Sequence, residues 1–237
     1  LLWSSSHMHK YKIPSSQNPV TASIIQTTAG LQAWYQFNTG VSYSGSNVTA
    51  WSDSSGNDNN LTQTTATNQG TKTSPLGGVH LDGTDNFMAL DTAIDLTTFT
   101  VFAAITLDDN SLETLFGNGS DNTDMFRING SAWLLRTNTA SFQGSLATAK
   151  GVSSYVVTLF SDVGASSTKY TLRTTGEGEE DDVSIDNQTF TIGDIGRLSS
   201  GAQFFDGKVL EVAIYNTELS QATMEAIETD IVNRTGI

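Results

Sequence analysis

In the stretch FFDGKVLEVAIYNTELSQ, residues 204–221, apolar positions are interrupted by Lys208 and Glu211 up to Tyr215, and then the pattern stops. That mixture predicts a half-buried strand over residues 208–215, because successive side chains of a strand face opposite ways. Beyond a short turn the period changes. Ser220 has the chemistry of a helix N-cap, Met224, Ile227 and Ile231 recur at helical spacing, and Gly236 supplies a left-handed stop. A closing helix laid on the last strand is therefore predicted. Further strands are predicted at 31–37, 79–81, 86–90, 99–107, 112–116, 124–128, 132–137, 155–160, 168–173 and 189–193. They are separated by SDSSGNDNN, DGTDN, GNGSDN and GEGEEDD, whose Gly, Asn and Asp tolerate positive φ or cap their own backbone. Many short strands joined by such turns define an all-β class, a jelly-roll sandwich of two antiparallel sheets, and exclude βαβ units.

The length of 237 residues, 37% of them hydrophobic, suits one sizeable core, so one domain is expected over residues 29–237. Residues 1–28 are polar and read as an extended N-terminal arm or linker. Within it HKYKI sets His9, Tyr11 and Ile13 on one face and Lys10 and Lys12 on the other, as a strand would. Two readings of this arm stand side by side: a linker to a neighbouring domain, or an assembly strand that docks on the sheet edge of an adjacent subunit.

Charge changes the picture further. The chain carries 25 acidic and 11 basic residues, for a net charge of −14, and every acidic residue lies at or after Asp53. Such a surface lacks the clustered cations that bind phosphate backbones, so no nucleic-acid partner is expected. No run of 18 apolar residues occurs, so no membrane insertion is expected. The absence of cysteine rules out disulfides and thiolate metal sites. An acidic, lysine-poor surface suits an extracellular, cell-surface or virion-surface location in a salty medium.

Four segments, in order, resemble the laminin-G-like branch of the concanavalin A-like lectin and glucanase superfamily. They are GLQAWYQF (30–37), VTAWSDSSGNDNNLTQ (48–63), GVHLDGTDNFMAL (78–90) and FFDGKVLEVAIYNTELS (204–220). The resemblance covers residues 30–237 and implies a concanavalin A-like sandwich. It is weak for function, since such a fold hosts lectins, hydrolases, adhesins and structural proteins. It also implies a possible calcium ion. Loops rich in carboxylate and amide oxygens match the six to eight ligands calcium takes, and the candidates are Asp53 with Asn57 and Asp58, Asp82 with Asp85, and Asp121 with Asp124. The same residues also serve as ordinary turn caps, and Asp82, Gly83 and Asp85 are expected to close a tight turn.

The aromatic residues are expected mainly in the core, with Trp51 and Trp133 as the candidates for stacking on a sugar. The run EGEEDD at 177–182 is expected to be a solvated hairpin tip. A glycosidase needs two carboxyl groups facing each other across the scissile bond. The Glu-x-Asp-x-x-Glu strand of the superfamily's glucanases is missing, Glu113 and Glu211 stand alone on their strands, and His80 is a lone strand histidine. The sequence is therefore expected to be non-catalytic. Its function is expected to be that of a structural or assembly subunit, a virion decoration or fibre protein or part of a surface filament, self-associating through residues 9–13. The alternative is a calcium-assisted carbohydrate-binding or adhesion module with a polysaccharide partner.

Overall fold

The computed structural model describes residues 22–74, 77–109, 111–130, 132–137, 145–148, 153–163, 168–174, 178–185, 189–199 and 201–237. The strands begin with β1 (Leu31–Tyr35), β2 (Val41–Ser44), β3 (Asn47–Trp51), β4 (Leu61–Thr62), β5 (Thr71–Lys72), β6 (Val79–Asp82), β7 (Met88–Leu96), β8 (Thr100–Leu107) and β9 (Leu112–Gly117). They continue with β10 (Met125–Asn129), β11 (Ala132–Arg136), β12 (Ser145–Thr148), β13 (Ser154–Val163), β14 (Thr168–Thr174), β15 (Gly178–Ile185), β16 (Phe190–Ile195) and β17 (Asp206–Tyr215). Two helices, α1 (Ile24–Thr27) and α2 (Gln221–Thr235), complete the described elements.

Among the described residues all strand pairings are antiparallel and fall into two ladders. One runs β15–β14–β13–β8–β17, with β17 paired along its far edge first to β6 and then to β1. The other runs β12–β11–β10–β9–β16–β7–β4–β3–β2. The short β5 bridges β3 to β6, so the hydrogen-bonded order curls from one ladder into the other. The expected two-sheet sandwich with a closing helix is what forms. Between the ladders lies the main core, which includes Tyr35, Trp51, Phe99, Phe116, Phe126, Trp133 and Ile214.

A second apolar layer lies on the outer face of the first ladder. There Phe102, Val156, Leu210, Ala213 and Tyr215 meet Met224, Ile227 and Ile231 of α2. This corrects the half-buried strand. β17 is buried on both faces from Val209 to Tyr215, because its outer face carries the helix rather than water. The helix begins and ends where the sequence places it: Ser220 Oγ accepts the Thr223 N–H, and Gly236 adopts φ 74°.

Two other expectations change. The segment expected to be arm as far as residue 28 contributes α1, whose Ile25 is fully buried and whose carbonyl accepts the Tyr215 hydroxyl at 2.9 Å. Residues 9–13 lie outside the described residues. The acidic run expected as a hairpin tip is strand for most of its length, since β15 pairs with β14 from Gly178 to Ile185.

Candidate functional site

The site lies where β6, β8 and β17 end together. Gly207, with φ 152°, lets β17 approach so closely that a Cβ there would sit 2.1 Å from the Thr106 carbonyl oxygen. This brings Asp206 between two strands, with register partners Asp82 on β6 and, one residue on, Leu107 on β8. The Asp108 N–H donates to the Asp206 carbonyl at 3.0 Å, which continues the ladder by one step. The adjoining cleft has a volume of about 460 Å³ and opens to solvent. Carboxylates of Asp82, Asp109, Glu113 and Asp206 line it, together with Ser111 and Gln203, while Leu112 and Phe204 supply its apolar surface.

Glu113 lies at the buried side, with only 2% of its surface exposed. Burial, and then the charges of Asp109 and Asp206, push its carboxyl up to about 7, against the Asp206 N–H and Ser111 hydroxyl that it accepts. Asp206 is raised too, first by burial, then by Asp108 and Asp109. Gln203 holds a left-handed φ of 54°, a conformation that costs a non-glycine residue on the order of 1–3 kcal/mol. Its carbonyl accepts the Thr114 N–H, and its side-chain oxygen accepts Arg127 Nη1 at 2.7 Å. Gln203 is thus fixed at both ends, and strain held in this way recurs where binding needs a set geometry.

The raised carboxyl has a measurable consequence. An unfolded Glu113 titrates near 4.5 and the folded one near 7, so between these values the native state holds a proton that the unfolded chain has released. Stability is expected to fall as pH rises through that window and to level off above it. Because the cleft admits water, the loss is about 2 kcal/mol rather than the full linkage value. Urea titrations of Glu113→Gln should show only the slope left by Asp194 and Asp206, whose carboxyls burial also raises. A wild-type stability that stays flat across the window would rule out a raised Glu113.

The structure places the sequence's own candidates elsewhere, with one exception. Trp51 and Trp133 are 0% and 1% exposed, so neither presents a ring to a sugar. Trp51 donates its indole N–H to the carbonyls of Gln36 and Thr39, and Trp133 stacks on Phe126 with centroids 4.7 Å apart. Asp53 spends both oxygens on four donors: the N–H groups of Trp34, Ser55 and Asn59 and the Ser55 hydroxyl. Asn57 donates to the carbonyls of Leu31 and Gln32, and Asp58 is exposed at φ 60°. Thr123 occupies one oxygen of Asp121, while buried Asp124 accepts Asn118 Nδ2 at 2.8 Å. These two loops are held by their own hydrogen bonds, which an ion would have to displace. Asp82 alone of the set reaches the cleft. Its Oδ1 caps the following turn through the N–H groups of Thr84, Asp85 and Asn86, while Asp85 turns away to Asn86.

Asp108, Asp109, Gln203, Phe204 and Asp206 had no signal of their own. The DG pairs at 82–83 and 206–207 were the nearest sequence mark, and they turn out to be cross-strand partners.

No known family model matches the sequence, and no curated protein is similar to it. Among solved structures the chain is similar to Domain 4 of AbnA, an extracellular arabinanase from Geobacillus stearothermophilus, in complex with arabinotriose. The TM-score is 0.58 at 14% identity, covering 84% of this chain and 98% of that one. It is also similar to an α-L-arabinofuranosidase soaked with a cyclic sulfate inhibitor, with TM-score 0.55, 12% identity and coverage of 80% and 51%. A Trypanosoma rangeli sialidase in complex with sialic acid matches with TM-score 0.52, 17% identity and coverage of 87% and 33%. The chain thus spans about half of the arabinofuranosidase and a third of the sialidase. Together these likenesses and the two ladders define the class: an antiparallel β-sandwich with a closing C-terminal helix.

Proposed function

We propose that this chain is a non-catalytic carbohydrate-binding module that takes a neutral oligosaccharide in its end cleft. The observation that carries the reading is the lining of the cleft. Phe204 and the 39%-exposed Leu112 offer apolar surface for the C–H face of a sugar ring, flanked by carboxylate and amide groups that accept and donate to hydroxyls. Four carboxylates in one cleft disfavour uronates and sialic acids, which would bring like charge into it. The arabinotriose held by the similarly folded arabinanase domain supports a neutral pentose ligand. The laminin-G-like order of the sequence motifs supports the same reading, as does an acidic surface suited to an extracellular module. Among the described residues no helix is long and apolar enough to cross a membrane. The assembly reading rested on the N-terminal arm, whose residues 9–13 lie outside the described residues, and on the absence of a convergent site, which the cleft now supplies.

Calorimetric titration with arabinotriose and with sialyllactose tests the proposal. Binding of the neutral sugar alone is expected, weakened roughly tenfold or more by Phe204→Ala through loss of the ring contact. Binding that Phe204→Ala leaves unchanged, or a preference for the anionic sugar, would overturn it. A second reading has one observation in its favour. Glu113 holds its proton toward neutral pH, the state required of a general acid. Release of reducing sugar from arabino-oligosaccharides, abolished in Glu113→Gln, would make the module an enzyme.

A further inference from the structure

We propose that His80, Asp108 and Asp206 form a binding site for a divalent transition metal ion, with zinc as the probe, at the rim of the cleft. The inference stands independently of any saccharide. Three adjacent strands deliver the three side chains: His80 from β6, Asp206 from the start of β17, and Asp108 from the residue after β8. Their donor atoms all lie within 4.8 Å of one another, and His80 Nε2 is 2.8 Å from Asp108 Oδ2. The ladder fixes their backbones, since Lys208 pairs with His80 and the Asp108 N–H donates to the Asp206 carbonyl.

The histidine is also oriented from behind. Thr71 Oγ1 lies 3.3 Å from His80 Nδ1, which fixes the ring and aims Nε2 at the two carboxylates. An outer partner on the second ring nitrogen is the usual support of a metal-binding histidine. An acidic patch without an imidazole would suit calcium, but one imidazole with two carboxylates suits zinc and its neighbours in the transition series. This trio therefore suits a softer ion than calcium. In tetrahedral zinc sites with bonds of about 2.1 Å, donor atoms sit about 3.4 Å apart. The His80–Asp108 contact must open by about 0.6 Å to reach that spacing. Both side chains can swing so far, being 32% and 39% exposed. A fourth position would then face the cleft, where Asp82 and Asp109 add negative charge that favours a dication.

The experiment uses the full chain, stripped with EDTA and dialysed, titrated calorimetrically with Zn²⁺ and separately with Ca²⁺, and followed by Co²⁺ visible absorption. One Zn²⁺ per chain is expected at this site, with Ca²⁺ at least roughly tenfold weaker. His80→Ala and Asp108→Asn should each weaken zinc by roughly tenfold or more. Because His7 and His9 are also able to take zinc, the His7→Ala/His9→Ala variant is the control, and it should keep the site and its tetrahedral Co²⁺ bands. Zinc binding that survives both His80→Ala and Asp108→Asn, or that the His7/His9 change removes, overturns the proposal. Sugar titrations of zinc-free protein keep its failure separate from failure of the carbohydrate reading.

Discussion

Arg234→Ala is expected to destabilise the protein by about 3 kcal/mol. Glu211 is 0% exposed in the middle of β17, a position where an ionised carboxylate persists only with partners. Arg234 of α2 supplies them, with Nη2 at 2.7 Å from Oε1 and Nε at 3.1 Å from Oε2. The Trp34 indole N–H donates to Oε1 at 2.8 Å, the Arg234 guanidinium lies 5.4 Å from the centre of the Trp34 ring, and Asp230 binds Arg234 Nη1 at 2.7 Å. Truncating Arg234 leaves the buried carboxylate without its counter-ion, held only by the Trp34 indole N–H and the Phe37 N–H. The cost falls at the lower end of the usual 3–5 kcal/mol, because the guanidinium itself still meets water at the helix end. Removing both charges with Glu211→Met and Arg234→Met should recover much of the loss. Urea unfolding of the three variants decides it. A single Arg234→Ala within about 1 kcal/mol of wild type would show that the pair is dispensable.

Trp133→Ala is expected to cost about 3–5 kcal/mol and to lower the Tm by about 10 °C. The indole is enclosed between the two ladders, stacked on Phe126, with Tyr155 edge-on at 6.5 Å. Its removal opens a cavity that neighbours already committed to β10 and β13 cannot fill. Calorimetry of Trp133→Ala beside Trp133→Phe should show a graded loss, with oligosaccharide affinity unchanged wherever the variants remain folded. Loss of sugar binding by a folded Trp133→Phe would restore the tryptophan to a recognition role.

The sandwich and its closing helix were legible because the signals are local. A Ser cap, a helical apolar stripe and a terminal Gly need no knowledge of the rest of the chain. By contrast, β2 (VSYS) and β3 (NVTAW) set Val, Tyr and Trp among Ser, Thr and Asn without regular alternation, and their pairing depends on what lies across the sheet. Glu211 misled for the same reason. A charge on a strand signals an exposed face until a helix brings its counter-ion, and Arg234 does so only after the chain has turned back. The cleft was least legible of all. Asp82 and Asp206 each look like a turn residue, and only the β6–β17 register sets them opposite each other. For Asp53 and Asp121 the sequence offered both an ion and a turn cap, and their oxygens accept hydrogen bonds that hold the shape of their own loops.

The placement of β17 has a consequence for how the molecule is made. The last of the described strands lies inside the first ladder, hydrogen-bonded to β8 along one edge and to β6 and β1 along the other. No earlier strand can take its place, so a nascent chain on the ribosome holds the edges of β1, β6 and β8 open until residues 206–215 emerge from the exit tunnel. Closure then joins segments distant in sequence, the kind of topology that folds in milliseconds to seconds rather than microseconds. During that wait the unpaired edges are templates for pairing with other chains.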